Sequence, residues 1–366
     1  MKITVDKNEL LETVANLSRA VLNRAAIPVL EGILLSAENG ILTMMAYNLE
    51  IGMTKKLNIK TEREGDIVLN ARLFLEILRK LNGNSVTIEV DEKMTCHIKS
   101  GDTNFDIVGM ESEDFPEMPS VAEHKKITVS SEVLKKMVRT TSFAAAQNEN
   151  TRPVLTGIKF EIKNGNLTLV AIDGNRLAVR HGLIKYGDDM EFIVSGRAIS
   201  EAVKTIGEED EDISIRVGLK HISFEVAGYF TISRLLDGEY IDYKRSIPNT
   251  CQNKMNIETK IFMDIVDRVA LIINDQIKTP IRMLFADGKI EFTSVSSIGR
   301  AKEILENDFS GPNFEIGFNS RYILEALKAT ETENIEVCFN GPSSAAVIKP
   351  VDNDEFLYLV MPMRLS

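Results

Sequence analysis

The sequence predicts an α+β chain of three tandem repeats, each with two helices backed by antiparallel sheet, and three observations carry that prediction. One phrase, an alternating apolar strand, a polar cap and an amphipathic helix, returns six times. Its candidate caps, Asp6, Asn70, Ser130, Ser195, Glu258 and Asn319, are separated by 64, 60, 65, 63 and 61 residues. The phrases also fall into pairs. Pro28, Pro153 and Pro280 lie 125 and 127 residues apart, and each precedes two strands joined by Asn39-Gly40, Asn164-Gly165 or Asp287-Gly288. Those dipeptides favour a type I′ turn, which needs two successive residues at positive φ. Repetition on this scale marks units that bury their apolar faces together.

The first repeat opens with ITVDKNELLETV from Ile3, where a short alternating strand gives way after Asp6 to a helix. Leu10, Val14, Leu17 and Val21 form its single apolar stripe, so one face is buried. The hairpin at Asn39-Gly40 follows, then IVLNARLFLEIL from Ile67, whose helix carries a stripe led by Phe74. In the second repeat the phrases are ITVSSEVLKKMV from Ile127 and FIVSGRAISEAV from Phe192, the latter led by Ile199. Between them Ile158, Phe160 and Ile162, then Leu167, Leu169 and Ala171, alternate about Asn164-Gly165 as half-buried antiparallel strands do. The third repeat has MNIETKIFMDIV from Met255 and EIGFNSRYILEAL from Glu315, with Ile323 leading the last stripe. Linkers are expected near 120–125 and 247–252, where Pro119 and Pro248 close polar stretches. The repeats are therefore expected to span 1–123, 124–249 and 250–366.

Composition narrows the class. The chain holds 43 Lys and Arg against 54 Asp and Glu, a formal net charge of −11. Lys2, Asp6, Lys7 and Glu9 near the start argue against a secretory signal. No apolar run approaches the roughly 18 residues of a membrane span, so a cytoplasmic protein without a membrane partner is expected. Cys96, Cys251 and Cys338 sit at unmatched positions and imply neither a disulfide framework nor a metal cluster.

Charge is not spread evenly. The second helix of each repeat carries a basic pair spaced by seven, Arg72 and Arg79, Arg197 and Lys204, Arg321 and Lys328, opposite its apolar stripe. The first helices add Lys7, Arg19, Lys135, Lys136, Arg139, Lys260 and Arg268. The six helical segments together hold 15 basic and nine acidic side chains, so they carry +6 and the rest of the chain −17. A basic lining within an acidic exterior is what a protein enclosing a polyanion needs. The plainer reading is a set of solvated faces in which Glu76, Glu201 and Glu325 pair with their basic neighbours.

Nothing in the sequence supports catalysis or a cofactor. His97, His124, His181 and His221 are dispersed, and no Walker loop, His-Glu-x-x-His or Gly-x-Ser-x-Gly is present. The run Glu208-Glu209-Asp210-Glu211-Asp212 reads as a solvated loop, because metal ligands need defined spacing. The sequence ends Tyr358-Leu359-Val360-Met361-Pro362-Met363-Arg364-Leu365-Ser366, an apolar, methionine-rich segment that reads as a terminal strand or an adaptable partner surface. A nucleotide-binding or hydrolytic enzyme and a protein-only scaffold are the competing classes. Turnover assays separate the first, and retention on circular but not linear DNA separates the second.

The terminal VMPMRL, RPVLTG at 152–157, DGNRLAV at 173–179 and the three-fold repeat together resemble the bacterial DNA polymerase III β subunit, the sliding clamp, over the whole chain. Pro153 within RPVLTG is similar to Gram-positive versions. The resemblance implies a non-catalytic processivity factor, a head-to-tail homodimeric ring with helices lining the hole and sheets outside. Its implied partners are double-stranded DNA, held topologically and without sequence preference, and the polymerase III alpha subunit, the clamp loader, other polymerases and repair proteins. The proteins are expected to insert short apolar peptides into one pocket. By motif, Leu155, Ile172, Gly174, Asn175, Arg176, Leu177, Ile241, Arg245 and Ser246 form one wall. Asn319, Tyr322, Ser343, Val360, Met361, Pro362, Met363 and Arg364 form the other. Ile172, Asn175 and Ile241 stand where the family more often has threonine, histidine and proline. Phe105 and Ile107, with Ile272 and Ile273, match the dimer interface. Arg24, Lys136 and Arg152 join the six second-helix cations as expected DNA contacts.

Overall fold

A computed structural model of the chain describes residues 1–22, 24–121, 124–147, 152–185, 187–273, 279–306 and 312–365. The first stretch runs β1 (Lys2–Asp6), α1 (Lys7–Leu17), β2 (Gly32–Glu38), β3 (Ile41–Tyr47), β4 (Ile51–Asn58), β5 (Lys60–Arg63), β6 (Gly65–Asn70), α2 (Ala71–Lys80), β7 (Ser85–Val90), β8 (Thr95–Ser100) and β9 (Thr103–Val108). It continues with β10 (Lys125–Ser130), α3 (Ser131–Arg139), β11 (Gly157–Lys163), β12 (Asn166–Ile172), β13 (Arg176–Leu183), β14 (Met190–Ser195), α4 (Gly196–Val203), β15 (Asp212–Val217), β16 (His221–Val226) and β17 (Tyr229–Arg234). The last stretch holds β18 (Asn253–Glu258), α5 (Thr259–Ala270), β19 (Ile281–Ala286), β20 (Lys289–Ser296), β21 (Gly299–Glu306), β22 (Phe314–Phe318), α6 (Ser320–Lys328), β23 (Asn334–Phe339), β24 (Ala346–Pro350) and β25 (Phe356–Val360).

All six strand–cap–helix phrases are present, and three of the expected caps, Asp6, Asn70 and Asn319, bond as caps do. The Asp6 carboxylate accepts from the amides of Asn8 and Glu9, Asn70 from Leu73, and Asn319 from Arg321. Such caps satisfy amides that the first helical turn leaves unpaired. Glu258 is a correction: its side chain caps nothing, and the Thr259 hydroxyl instead donates to Thr332 O at 2.7 Å. The α1 stripe is also shorter than expected. Leu10, Val14 and Leu17 are buried, but the helix ends there and Val21 is extended and only partly buried. The three hairpins turn as their dipeptides demand, with φ of 52° and 76°, 51° and 75°, and 52° and 70° at Asn39-Gly40, Asn164-Gly165 and Asp287-Gly288.

The acidic run is not merely solvated. Asp210 accepts from the Ser130 and Ser131 hydroxyls at 2.7 and 3.1 Å and from the Glu132 amide at 3.1 Å, so it caps α3 from 80 residues away. The Ser130 hydroxyl is the largest influence holding its carboxyl below the ordinary range. Asp212 meets Lys185 Nζ at 2.5 Å.

Among the described residues the strands pair antiparallel and make four sheets. Two are confined to one end of the chain each: β5-β1-β7-β8-β9 and β21-β20-β19-β22. The other two have eight strands, β10-β15-β16-β17-β4-β3-β2-β6 and β14-β11-β12-β13-β25-β24-β23-β18. Each eight-stranded sheet is a junction between successive repeats, made by β17 against β4 and by β13 against β25. The chain accordingly forms two compact units, Met1–Glu132 with Lys185–Gly187 and Arg197–Leu235, and Val133–Ile184 with Asp188–Gly196 and Leu236–Ser366. In the first, Leu10, Val14, Phe74 and Leu78 of the helices pack on Ile3, Ile33 and Ile88 of the strands. In the second, Cys251 and Cys338, both late in the chain, form a disulfide with Cα atoms 5.6 Å apart, which corrects the reading that no disulfide is implied. Spacing hid this pair, because one cysteine precedes β18 and the other lies on β23, which pairs with it.

Candidate functional site

Strict alternation fails in β12, and that failure locates the site. Leu167, Leu169 and Ala171 face one core, but Val170 and Ile172 on the opposite face are buried as well. They join Leu155, Leu177, Val179, Val347 and Leu359 in a second apolar cluster of the second unit, with Ile241 and Ile247 partly buried against it. Two tyrosines that sequence reasoning missed complete it. Tyr240 Oη donates to Val170 O at 3.2 Å, Tyr243 Oη donates to Glu161 Oε2 at 3.0 Å, and burial pushes both phenols well up. The warning was present in the sequence as β12 and β13 carrying apolar residues on both faces.

The polar turn beside this cluster joins it to the end of the chain. Gly174 sits at φ +90°, where a side chain is strained, and the Asp173 carboxylate accepts from the amides of Asn175 and Arg176 at 2.9 and 3.1 Å. Val360 lies opposite Arg176 in the ladder, and the Met361 amide donates to Asn175 O at 2.7 Å. Met361 stays 42% exposed. Pro362 is half-buried, and the Met363 amide donates to Gly317 O at 2.8 Å. A Cβ on Gly317 would stand 2.4 Å from Leu365 Cδ2, so the glycine lets Leu365 seat there. Arg245, Ser246, Ser343 and Arg364 are exposed; Arg245 pairs with Asp242 at 2.8 Å.

Behind the turn lie two buried arginines. Arg176, 4% exposed, reaches Asp173 Oδ2 through Nε at 2.9 Å and Glu325 Oε2 through Nη1, and its guanidinium stacks 4.5 Å from the Tyr322 ring centre. Arg180, 2% exposed, pairs with Glu331 and Glu355, each at 3.2 Å. Glu331 also binds Lys136 and Arg139 at 3.0 and 2.7 Å. Burial raises the Glu331 carboxyl, but the bonds from Lys136 and Arg139 outweigh it and hold the group below its ordinary value. Lys136, expected on an open face, is thus half-buried in an ion cluster, and Phe143, Asp173 and Glu325 were not foreseen around Arg176.

The second helices show one pattern three times. In each, one cation pairs along its own helix: Arg72 with Glu76 at 3.3 Å, Lys204 with Glu201 at 2.7 Å, and Arg321 with Glu325 at 2.9 Å. The other, Arg79, Arg197 or Lys328, is exposed and has no ion-pair partner among the described residues. Arg24 and Arg152 are exposed beside 3-10 turns. Several first-helix cations are held internally, Lys7 by Leu81 O, Arg19 by Glu201 and Arg268 by Glu303. Phe105 and Ile107 lie on β9 and lean on the first unit's core, while Ile272 and Ile273 follow α5, half-buried.

Three family models cover nearly all of this architecture: the DNA polymerase III beta subunit N-terminal domain matches residues 1–119, its central domain 128–242 and its C-terminal domain 244–364. The chain belongs to the DNA polymerase III beta subunit family, the sliding clamps. The beta sliding clamp of Halalkalibacterium halodurans is 31% identical over 380 residues, covering all of both chains. That of Staphylococcus epidermidis is 32% identical over 375 residues, covering 100% of this clamp and 99% of the relative. The crystal structure of the Bacillus subtilis clamp superposes with a TM-score of 0.93 at 29% identity over the full length of both. A Pseudomonas aeruginosa clamp bound to griselimycin gives 0.91 at 27%, also over the full length of both. The clamp's function is that of a DNA polymerase III sliding clamp. No helix among the described residues is long and apolar enough to cross a membrane, and those residues hold no cluster of metal-binding side chains.

Proposed function

We propose that the clamp closes head to tail with a second copy into a ring around duplex DNA. Its apolar site beside Met361 then takes short apolar peptides of the polymerase III alpha subunit, the clamp loader and other polymerases and repair proteins, without turnover. What supports the ring is a pair of leftover strands. Ile51, Arg176 and Gly299 each lie 11 residues after a hairpin glycine, so β4, β13 and β21 correspond. In the same way β9, β17 and β25 close the three sheet halves. Two of these sets are paired already, β4 with β17 and β13 with β25, which leaves one β21 and one β9 at sheet edges. An exposed edge is a row of unsatisfied backbone groups ready for another strand. One leftover of each kind per chain makes a heterologous contact, and two chains give six repeats.

The internal junctions also fix a register. Ile51 faces Ser233 and Lys55 faces Tyr229, just as Arg176 faces Val360 and Arg180 faces Phe356. Carried to the third junction, this sets Gly299 opposite the partner's Ile107 and Ala301 opposite the partner's Phe105, with Ile272 and Ile273 supporting the contact. Arg79, Arg197 and Lys328, with Arg24, Arg152 and the paired cations, then meet phosphates diffusely, which suits sliding better than base readout.

The test is topological. Clamp loaded on a nicked circle should stay bound through gel filtration and leave once the circle is cut. Equal retention on linear DNA, or none on circles, would sink the reading. A clamp carrying Ala301→Cys and Phe105→Cys should also cross-link into covalent dimers on mild oxidation.

A further inference from the structure

The carboxylate of Glu325 is shared between the two surfaces the function needs. Its Oε1 accepts from Arg321 Nε at 2.9 Å, and Arg321 is 62% exposed on the basic face of α6. Its Oε2 accepts from Nη1 of buried Arg176, which sits on the turn that holds Met361. We propose that Glu325 positions Arg176 and thereby couples duplex contact at α6 to occupancy of the apolar peptide site. The proposal rests on the reading above and names the residue that links its two halves.

The physical argument is competition for one anion. Of the two arginines, only Arg321 can exchange its partner for a phosphate, because Arg176 is 4% exposed and enclosed by Asp173, Tyr322 and Phe143. When a phosphate takes Arg321, both oxygens of Glu325 become available to Arg176. Charge-assisted pairs in partly buried sites gain strength when a competitor leaves. Arg176 is then held more firmly across Tyr322, and with it the Asp173–Arg176 turn, whose Asn175 carbonyl receives the Met361 amide. A preorganised wall costs an incoming peptide less ordering. The same linkage must run backwards, so a bound peptide strengthens duplex contact by an equal factor. No other second helix has this link. Glu76 meets only Arg72 among the described residues, and Glu201 Oε2 has no hydrogen-bond partner there.

The experiment is fluorescence polarisation of a labelled apolar peptide from the replicative polymerase against the full-length clamp, with and without a saturating short duplex. The wild-type clamp should bind the peptide about fivefold more tightly with duplex present. Glu325→Gln should bind it equally in both conditions. Arg321→Gln should show the tighter affinity without duplex and no further gain with it, a result that a merely structural role for Glu325 does not produce. A duplex effect that survives in Glu325→Gln, or an Arg321→Gln clamp that still responds, overturns the coupling while leaving the peptide site intact. A wild-type clamp that binds peptide and duplex with no mutual effect overturns it too. Failure of the wild-type clamp to bind the peptide at all removes the site reading itself, and the coupling with it.

Discussion

The junction of β4 with β17 and that of β13 with β25 are built on one plan and finished differently. Both run in the same register, and both set a cation over an aromatic ring at the same place, Lys55 over Tyr229 at 4.5 Å and Arg180 over Phe356 at 5.4 Å. Four residues before that cation the plans part. The first junction has Ile51, fully buried, and the second has Arg176 with its carboxylates. The first also seals itself. Met118 lies on Gly52, where a Cβ would stand 2.5 Å from the Met118 sulfur, and the small cluster there closes over Val29, Tyr47, Val68 and Phe115. The second keeps Leu177 in place of that glycine and gains the methionine-rich segment that follows β25. The two joints share one plan, and the polar residues around Arg176 and the segment after β25 are what set the second apart.

The largest test of that contrast removes the extension. Deleting Met361–Ser366 takes away the amides that bond Asn175 and Gly317 and the Leu365 side chain, but leaves the β13–β25 ladder whole. Binding of a polymerase-derived peptide should fall by about 100-fold or more, because such grooves depend on a few buried anchors. Circular dichroism and sedimentation of the same variant should match the wild type. Near-normal peptide binding by the folded variant would mean that the extension is not what separates the two junctions.

The next test makes the second junction resemble the first. Arg176→Ile leaves Asp173 and Glu325 without their shared cation in a half-buried place, and removing one partner of such a cluster costs about 3 kcal/mol. Urea unfolding should show this loss. A cost under about 1 kcal/mol would mean that water already serves those carboxylates and that Arg176 is a weak constraint.

How much of this could be read from the letters differs between the joints and the elements. The six helices, their strands and three type I′ turns follow from periods and dipeptides that lie within a dozen residues of one another. The charge of the second helices was legible for the same reason. Availability was not. Whether Lys136 faces solvent or Glu331 depends on a contact 195 residues away, and the Asp210 cap of α3 and the Cys251–Cys338 bridge cross 78 and 87 residues. The apolar wall of Leu155, Ile172 and Leu177 follows from resemblance, while no local pattern marks Tyr240 and Tyr243; Glu325 is legible as an intrahelical partner of Arg321, but its bond to Arg176 spans 149 residues.

A pH titration separates the second junction's ion cluster from the rest. Glu331 is held below the ordinary carboxylate value in the folded chain, so its stabilisation is complete above the unfolded pKa of about 4.3 and is lost as pH falls through the folded value. The second unit should therefore lose stability on acidification, and Glu331→Gln should flatten that part of the profile while lowering stability at neutral pH. An identical acid limb in wild type and variant would place the acid sensitivity elsewhere.

The smallest expected effect sharpens the comparison most. Glu201 stands at the same place in α4 as Glu325 in α6, six residues after the cap position, yet it meets Lys204 at 2.7 Å and Arg19 at 3.6 Å, with no buried arginine behind it. Since Oε2 of Glu201 accepts no hydrogen bond among the described residues, its replacement by an amide forfeits little. Glu201→Gln should cost at most about 0.5 kcal/mol, the range of partly exposed pairs within a helix. It should leave peptide affinity and the response to duplex unchanged. Urea unfolding and the polarisation assay read these two quantities on one preparation. A Glu201→Gln clamp that lost the duplex response as Glu325→Gln is expected to would show that the helix charge matters at both junctions alike, and that Arg176 is not what distinguishes them.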